Sequence, residues 1–260
     1  MLERFKKVKE KEVELLALKE KTGTFPAPFQ GPKPSLLKAL REKSPRYKVI
    51  AEYKRSSPSK GVINNHLSPE EVAWQYKQAG ATALSILTER EFFAGELDFI
   101  SRVYPVGLPV LRKDFLYHPL QIKETLSTPA RAVLLIVRFF EDFAQLKDMY
   151  ELALEVGLEP VVEVFSLEDL ELAKKLNPFI LQVNSRDLDS LKIDLTTFKR
   201  FIPQKEQGEV WIAASGLQAF EQLEEFSSLG YDAFLVGTHL MAEASPQKAL
   251  ETLLGGQNAG

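Results

Sequence analysis

A strand–helix–strand unit can be recognised in PVVEVFSLEDLELAKKLNPFILQV, residues 160–183. Two short apolar runs, Pro160–Val164 and Phe179–Val183, flank a longer amphipathic stretch. That stretch opens with Ser166-Leu167-Glu168-Asp169, where the serine hydroxyl can cap the first turn of a helix. Because a crossover helix of this kind joins neighbouring parallel strands, the stretch predicts one unit of a parallel sheet.

The same alternation extends on both sides of this unit and begins at Tyr47. Eight strand-and-crossover units within about 210 residues is the number at which a parallel sheet closes into a barrel. We therefore predict an α/β protein with the (β/α)8 TIM-barrel fold. An open, doubly wound sheet is the alternative that the pattern leaves open. The predicted strands are Tyr47–Tyr53, Ala83–Leu87, Pro109–Leu111, Ala132–Val137, Pro160–Val164, Phe179–Val183, Val210–Ala214 and Ala233–Val236.

Residues 1–46 precede this pattern and are predicted to form an N-terminal helical extension packed on the barrel. The barrel would span residues 47–260, giving one domain overall. Residues 2–20 combine charges with apolar positions at helical spacing, which predicts a surface helix. A solvated helix with no function of its own is an equally good interpretation. A loop, Thr22–Pro34, then leads to a short helix from Ser35 to Glu42.

The composition is typical of a globular protein without a strongly charged partner. Hydrophobic residues make up 45% of the chain and charged residues 27%. The net charge of −3 creates no field that would favour nucleic acid. The absence of cysteine excludes disulfides and a thiol nucleophile, and suits a reducing compartment. Since neither a signal-peptide core nor an apolar run of membrane-spanning length is found, we expect a cytoplasmic protein with no membrane partner.

Polar side chains end several of the predicted strands, where barrel enzymes place their active sites. A charge inside a buried strand is costly unless it is paired or functional, and a structural ion pair is the alternative at any single position. Facing lysines and carboxylates predict proton transfer, with an ammonium as acid or anchor and a carboxylate as base. These residues are Glu52 and Lys54 on the first strand, Arg112, Lys113 and Asp114 on the third, Glu163 on the fifth, and Asn184, Ser185 and Arg186 on the sixth.

Small residues end the seventh and eighth strands, as Ser215-Gly216 and Gly237-Thr238. Each pair comes just before a helical stretch, so backbone N–H groups could face an anion there. This is the usual phosphate site of such barrels, and it predicts a sugar-phosphate substrate. Ordinary turn glycines are the alternative.

Other segments are weaker indicators. The loop Ser56–Gly61 is rich in hydroxyl groups and could hold a carboxylate or phosphate. Three histidines without ligand spacing, and no P-loop, argue against a metal or a nucleoside triphosphate. Several apolar residues near strand ends could form a slot for an aromatic ring, although each alone is more often core: Phe92, Phe93, Phe115, Leu134 and Leu188.

Taken together, these segments resemble the indole-3-glycerol-phosphate synthase family. The match extends from the N-terminal extension to about residue 254, in family order. The most specific segments are AEYKRSSPSKG at residues 51–61 and LRKDF at residues 111–115. The other matching segments are LSILTE (84–89), LLIV (134–137), VVEV (161–164), NSRDL (184–188) and AFLVG (233–237).

The resemblance implies a barrel enzyme of tryptophan biosynthesis that acts without a cofactor or metal. Its substrate would be 1-(2-carboxyphenylamino)-1-deoxyribulose 5-phosphate, which is cyclised with loss of carbon dioxide and water. Lys113 matches the general acid and Glu163 the base, while Glu52 would orient the lysines. The remaining matches are Lys54 and Ser57 for the substrate's carboxylate (Lys54 or its phosphate), Asn184 and Arg186 for its polar chain, Phe93, Phe115, Leu134 and Leu188 for its ring, and Ser215, Gly216, Gly237 and Thr238 for its phosphate.

One departure from the family pattern concerns the seventh strand. The family usually has Glu-Ser-Gly where this chain has Ala214-Ser215-Gly216. The missing carboxylate leaves a second interpretation open, a barrel that binds the ligand with weak or no turnover. A third is an aldolase-like lyase with Lys113 as a Schiff-base nucleophile. We expect a monomer or weak homo-oligomer whose partner is a small molecule, with no nucleic acid bound.

Overall fold

The computed structural model describes residues 2–43, 47–187 and 190–256. Within them, eight parallel strands close into a barrel in which β1 pairs with both β4 and β10. The barrel strands are β1 Val49–Tyr53, β4 Ala83–Leu87, β5 Val110–Lys113, β6 Ala132–Ile136, β7 Glu159–Val164, β8 Ile180–Asn184, β9 Val210–Ala214 and β10 Ala233–Val236. The predicted barrel is therefore confirmed, and the open sheet is excluded.

Helices surround this barrel and follow most of its strands. They are α1 Leu2–Lys21, α2 Leu36–Arg41, α3 Pro69–Ala79, α4 Asp98–Val103, α5 Pro119–Leu126, α6 Phe143–Glu155, α7 Leu167–Lys174, α8 Thr196–Phe201, α9 Phe220–Leu229, α10 Thr238–Ala242 and α11 Pro246–Leu253. The predicted cap of α7 is present, because the Ser166 hydroxyl accepts a hydrogen bond from the Asp169 N–H. In the described ranges, no helix has both the length and the apolar character needed to cross a membrane.

Strand bounds differ from the predicted ones by one or two residues. The third predicted strand, Pro109–Leu111, is β5 and continues to Lys113, so Arg112 and Lys113 point to opposite faces of the sheet. The loop at Ser56–Gly61 is built partly as a small antiparallel hairpin of β2 (Ser56–Ser57) and β3 (Gly61–Val62). Such two-residue strands carry no recognisable period in the sequence.

The barrel interior is filled by side chains that alternate with those facing the helices. Ile50, Leu111, Val161 and Ile212 belong to this inner cluster. The outward residues of the same strands, such as Val49 and Trp211, pack against the helices in a second cluster. The alternation follows from the two-residue period of a strand, and it sends the side chains of Glu52, Lys113 and Glu163 inward.

The N-terminal extension covers both ends of the barrel. Leu36 and Leu40 of α2 join the inner cluster near the start of the strands, where the Leu37 N–H donates to Glu159 on β7 at 3.0 Å. Phe5 of α1 joins it near the opposite end, against Phe115. The interpretation of α1 as a merely solvated helix is therefore wrong, because Phe5, Lys9 and Leu16 are buried. The proposed boundary at residue 46 lies outside the described residues.

Candidate active site

A cavity of about 450 Å³ opens at the carboxyl ends of the strands. The residues that the family resemblance matches to a role all line it, except Leu188, which lies outside the described residues. They are Glu52, Lys54, Ser57, Phe93, Lys113, Phe115, Leu134, Glu163, Asn184, Arg186, Ser215, Gly216, Gly237 and Thr238. Convergence from separate strands is what the closed parallel barrel imposes on residues near strand ends.

Glu52 and Lys54 form an ion pair on one wall of the cavity. Lys54 Nζ lies 2.8 Å from Glu52 Oε1, and both side chains are largely buried. The Ser85 hydroxyl on β4 donates to the other carboxylate oxygen at 3.3 Å. Gly237 packs directly against this carboxylate, and a Cβ at position 237 would overlap with Glu52 Oε1. The Glu52 carboxylate is thus fixed in place by Ser85 on β4, by Gly237 after β10 and by Lys54.

Lys113 and Glu163 form a second ion pair across the cavity. Lys113 Nζ lies 3.4 Å from Glu163 Oε2, and the glutamate side chain is only 1% exposed. The same oxygen accepts hydrogen bonds from the side-chain amides of Asn184, at 3.2 Å, and Gln182. Because β7 and β8 pair in register, Glu163 lies beside Gln182, and Asn184 follows on the same face. The carboxylate is oriented by three donors from two strands.

Asn184 also ties this pair to the next loop. Its Oδ1 accepts a hydrogen bond from the Arg186 N–H at 2.9 Å, which fixes which end of the amide faces Glu163. The Arg186 guanidinium donates to the Leu191 carbonyl at 3.1 Å. Burial lowers the pKa of Arg186, and the negative charge of Glu52 opposes that effect. A half-buried guanidinium near the mouth of the cavity is suited to an anionic substrate group.

Arg112 does not join the site, which corrects the expectation from its strand-end position. Its guanidinium points to the helix layer and donates to Glu124 on α5 at 2.9 Å and to Asp114 at 3.3 Å. Asp114 also pairs with Lys9 of α1 at 2.6 Å. Burial alone would raise the pKa of Asp114, but Lys9 and Arg112 hold it well below its usual range. For Arg112, the structural ion-pair interpretation is the correct one.

The two small-residue loops face the cavity side by side, because β9 and β10 are neighbours. Ser215 and Gly216 adopt left-handed conformations, with φ of 74° and 78°. A Cβ at Gly216 would also lie 2.6 Å from the Ile193 side chain, so only glycine fits there. Gly237 directly precedes α10, whose first N–H groups have no partner within the helix.

An aromatic wall closes the opposite side of the cavity. Phe115 stacks on Phe5 of α1, with ring centroids 4.1 Å apart and planes inclined by 17°. Phe93 lies 6.2 Å from each of these rings, measured between centroids. Phe92 packs edge-on against Phe5 but does not line the cavity. Phe5 was missed as a site residue because a sequence does not reveal where a charged surface helix docks.

Gln182 was also missed, although it interrupts the apolar run of the sixth predicted strand. A polar residue at an inward strand position was the available indication. His239 lines the cavity as well and was not singled out, and so does Lys60 of the predicted loop Ser56–Gly61. Among residues 2–43, 47–187 and 190–256, no group of three His, Cys, Asp or Glu side chains could hold a metal ion.

Comparison with known proteins identifies the family. The family model described as indole-3-glycerol phosphate synthase matches residues 2–253. The chain belongs to this family. A synthase of this name from Campylobacter jejuni is 40% identical over 220 residues, covering 84% of this chain and 85% of the relative. The one from Halalkalibacterium halodurans is 36% identical over 259 residues, covering 99% and 98%.

Solved structures of other enzymes share the barrel at low sequence identity. A 3-hexulose-6-phosphate synthase from Salmonella typhimurium aligns with a TM-score of 0.62 and 13% identity, covering 80% of this chain and 97% of that chain. A thiamine phosphate pyrophosphorylase from Pyrococcus furiosus gives 0.58 and 16%, covering 84% and 96%. These likenesses show the fold alone. Membership of the indole-3-glycerol phosphate synthase family favours an active carboxy-lyase, and the alternative of a ligand-binding barrel with little turnover finds no support.

Proposed function

We propose that this protein converts 1-(2-carboxyphenylamino)-1-deoxyribulose 5-phosphate into indole-3-glycerol phosphate, carbon dioxide and water. The observation that carries the proposal is that two lysine–glutamate pairs face one cavity between an aromatic wall and two glycine-bearing loops. Each part of the substrate has a matching surface there. No cofactor is needed, because loss of the carboxylate restores the aromatic ring.

The substrate would lie across the cavity. Its phosphate would accept hydrogen bonds from backbone N–H groups at Ser215-Gly216 and Gly237-Thr238. Its benzene ring would pack against Phe93, Phe115 and Leu134. Its carboxylate would lie near Lys54 and Ser57, which also line the cavity. Such an orientation holds the ring carbon close to the ketone carbon, which lowers the entropic part of the barrier.

Ring closure would use Lys113 as general acid. As the ring carbon attacks the ketone carbon, the carbonyl oxygen takes the Lys113 proton and becomes a hydroxyl group. Carbon dioxide then leaves, and its bonding electrons restore the aromatic ring. Glu163 lies 3.4 Å from Lys113 Nζ, so it is placed to orient the ammonium.

Dehydration would use Glu163 as general base. The hydroxyl leaves as water after taking a proton from an acid, and the carboxylate removes the C–H proton so that the double bond of the indole can form. Glu52 would orient Lys54, since they are 2.8 Å apart. Asn184 would hold Glu163 and the polar chain of the substrate, and Arg186 would bind that chain at the mouth of the cavity.

The test is an assay of the native protein beside the Ala214→Glu variant. We expect an indole absorbance and fluorescence signal from the native protein, with the product identified by mass spectrometry. Substrate binding without any indole product would refute the proposal. A gain of about 10²-fold or more in the variant would indicate that native Ala214 leaves the site short of one catalytic contact.

We further propose that the enzyme works in the cytoplasm as a monomer or weak homo-oligomer. The net charge of −3 supports a small-molecule substrate over nucleic acid. Size-exclusion chromatography with light scattering would measure the oligomeric state. A stable higher oligomer would contradict this part of the proposal.

A further inference from the structure

Gln182 is a fully buried amide on β8 that lines the cavity. Its Nε2 donates a hydrogen bond to Glu163 Oε2. Its Oε1 is buried as well and accepts no hydrogen bond from any of the described residues. A buried acceptor without a partner is unfavourable, so its presence beside the proposed base calls for a reason.

The second amide at Glu163 does not share this property. Asn184 also donates to Glu163 Oε2, but its own Oδ1 accepts from the Arg186 N–H at 2.9 Å. Turning the Asn184 amide by half a turn would break that hydrogen bond. Turning the Gln182 amide would cost its oxygen nothing, because that oxygen has no protein partner to lose.

A carboxyl group needs different partners in its two protonation states. An ionised carboxylate only accepts hydrogen bonds, whereas a protonated carboxyl group also donates one. With Nε2 toward Glu163, Gln182 serves the ionised state. After half a turn of the amide, Oε1 would face Glu163 and accept its proton in a hydrogen bond.

We propose that Gln182 is a positioning residue that holds Glu163 in both protonation states by turning its amide. This inference rests on the proposed function, in which Glu163 takes up and releases a proton in each turnover. The inward positions of the neighbouring strand β9 offer no polar side chain that could take this role instead. Gln182 pairs in register with Ile212, and the next inward residue on β9 is Ala214, which offers no polar contact.

The test compares the native enzyme with Gln182→Met, which keeps the approximate volume of the side chain and removes both polar atoms. We expect kcat to fall about 10- to 100-fold, the effect of losing one hydrogen bond to a charged group. KM should stay within about 3-fold, since Gln182 acts through Glu163 and not on substrate binding. The acidic limb of the pH–rate profile should move up by less than about one pH unit, because methionine removes a partner from both protonation states and only the extra strength of the hydrogen bond to the charged carboxylate is left as a difference.

Gln121→Met is the matched control. Gln121 is also a buried amide, but it caps α5 by accepting from the Tyr117 and His118 N–H groups. This variant should lose stability and keep the kcat of the native enzyme. If Gln182→Met behaves in the same way, the amide has a packing role only and the proposal is wrong.

A measurement without turnover separates this proposal from the proposed function. The ¹³C NMR signal of the Glu163 carboxyl carbon, assigned with Glu163→Gln, reports its ionisation directly. Its midpoint should stay within about one pH unit of the native value in Gln182→Met, because both protonation states lose a partner. A rise of well over one pH unit would show that the amide serves the ionised state only, and it would overturn the inference even if the native enzyme makes indole-3-glycerol phosphate. A native enzyme without indole product would instead overturn the proposed function and leave the titration to decide this point.

Discussion

Lys9 Nζ on α1 lies 2.6 Å from Asp114 Oδ1, and Asp114 directly follows Lys113 on β5. Both charges are buried, and the desolvation that would lower the pKa of Lys9 is outweighed by Asp114 and Glu12, which raise it. An ion pair therefore links α1 to the end of β5, the strand that carries the proposed general acid, Lys113. The Phe5 ring of α1 stacks on Phe115 from the same side.

Replacing Lys9 by methionine should destabilise the protein by about 3 kcal/mol, because it leaves Asp114 buried without one of its cations. Activity should fall as well, since α1 carries Phe5 into the aromatic wall. Chemical denaturation and kcat/KM measure the two effects. Lys7→Met, at an exposed position of the same helix, should change neither. Equal stability of the two variants would contradict the role given to Lys9.

Acid should weaken the native protein through Asp114. The pKa of this carboxyl is lower in the folded chain than in the unfolded chain, so protons bind more readily to the unfolded state. The stabilisation is complete above about pH 4 and is lost as the pH falls further, by an amount on the order of 2 kcal/mol. Denaturation curves from neutral pH downward measure it. Asp114→Asn should be less stable at neutral pH and should lose less stability in acid.

Lys113→Ala should reduce turnover by about 10²-fold or more and leave the fold intact, because its ammonium faces the cavity and is not part of the core. Steady-state kinetics and circular dichroism test both parts. Lys123→Ala, at an exposed position, is the control. Borohydride should trap no adduct of Lys113 with a ketose phosphate. Native-like turnover in Lys113→Ala would remove this residue from the mechanism.

Gly237→Ala should impair the enzyme through Glu52. The added Cβ would overlap with Glu52 Oε1, although the φ of −128° at this position suits any residue. Overpacking of this kind typically costs about 1–3 kcal/mol. It should also raise KM, since Glu52 orients Lys54 beside a proposed phosphate loop. Combining Gly237→Ala with Glu52→Ala should restore part of the lost stability. If the two substitutions have additive effects on stability, the contact between the added Cβ and Glu52 is not the cause of the destabilisation.

Much of the site could be predicted because a closed parallel barrel relates strand position to location. Glu52, Lys113 and Glu163 lie on inward positions near strand ends, and these converge on one mouth wherever eight such strands close. The same rule misassigned Arg112, because one residue along a strand separates the cavity from the helix layer. The position of Phe5 could not be predicted from this rule, because Phe5 lies on α1 and not near the end of a barrel strand.

The residue order along the chain determined the eight strands and the glycine-bearing loops, since each depends on a local period or a local backbone conformation. Tertiary structure alone decided that α1 places Phe5 and Lys9 against β5, and that Gln182 meets Glu163 with one amide atom left free. Those relationships join residues that are far apart in the chain. Three-dimensional packing determines these relationships, and no regular spacing in the sequence indicates them.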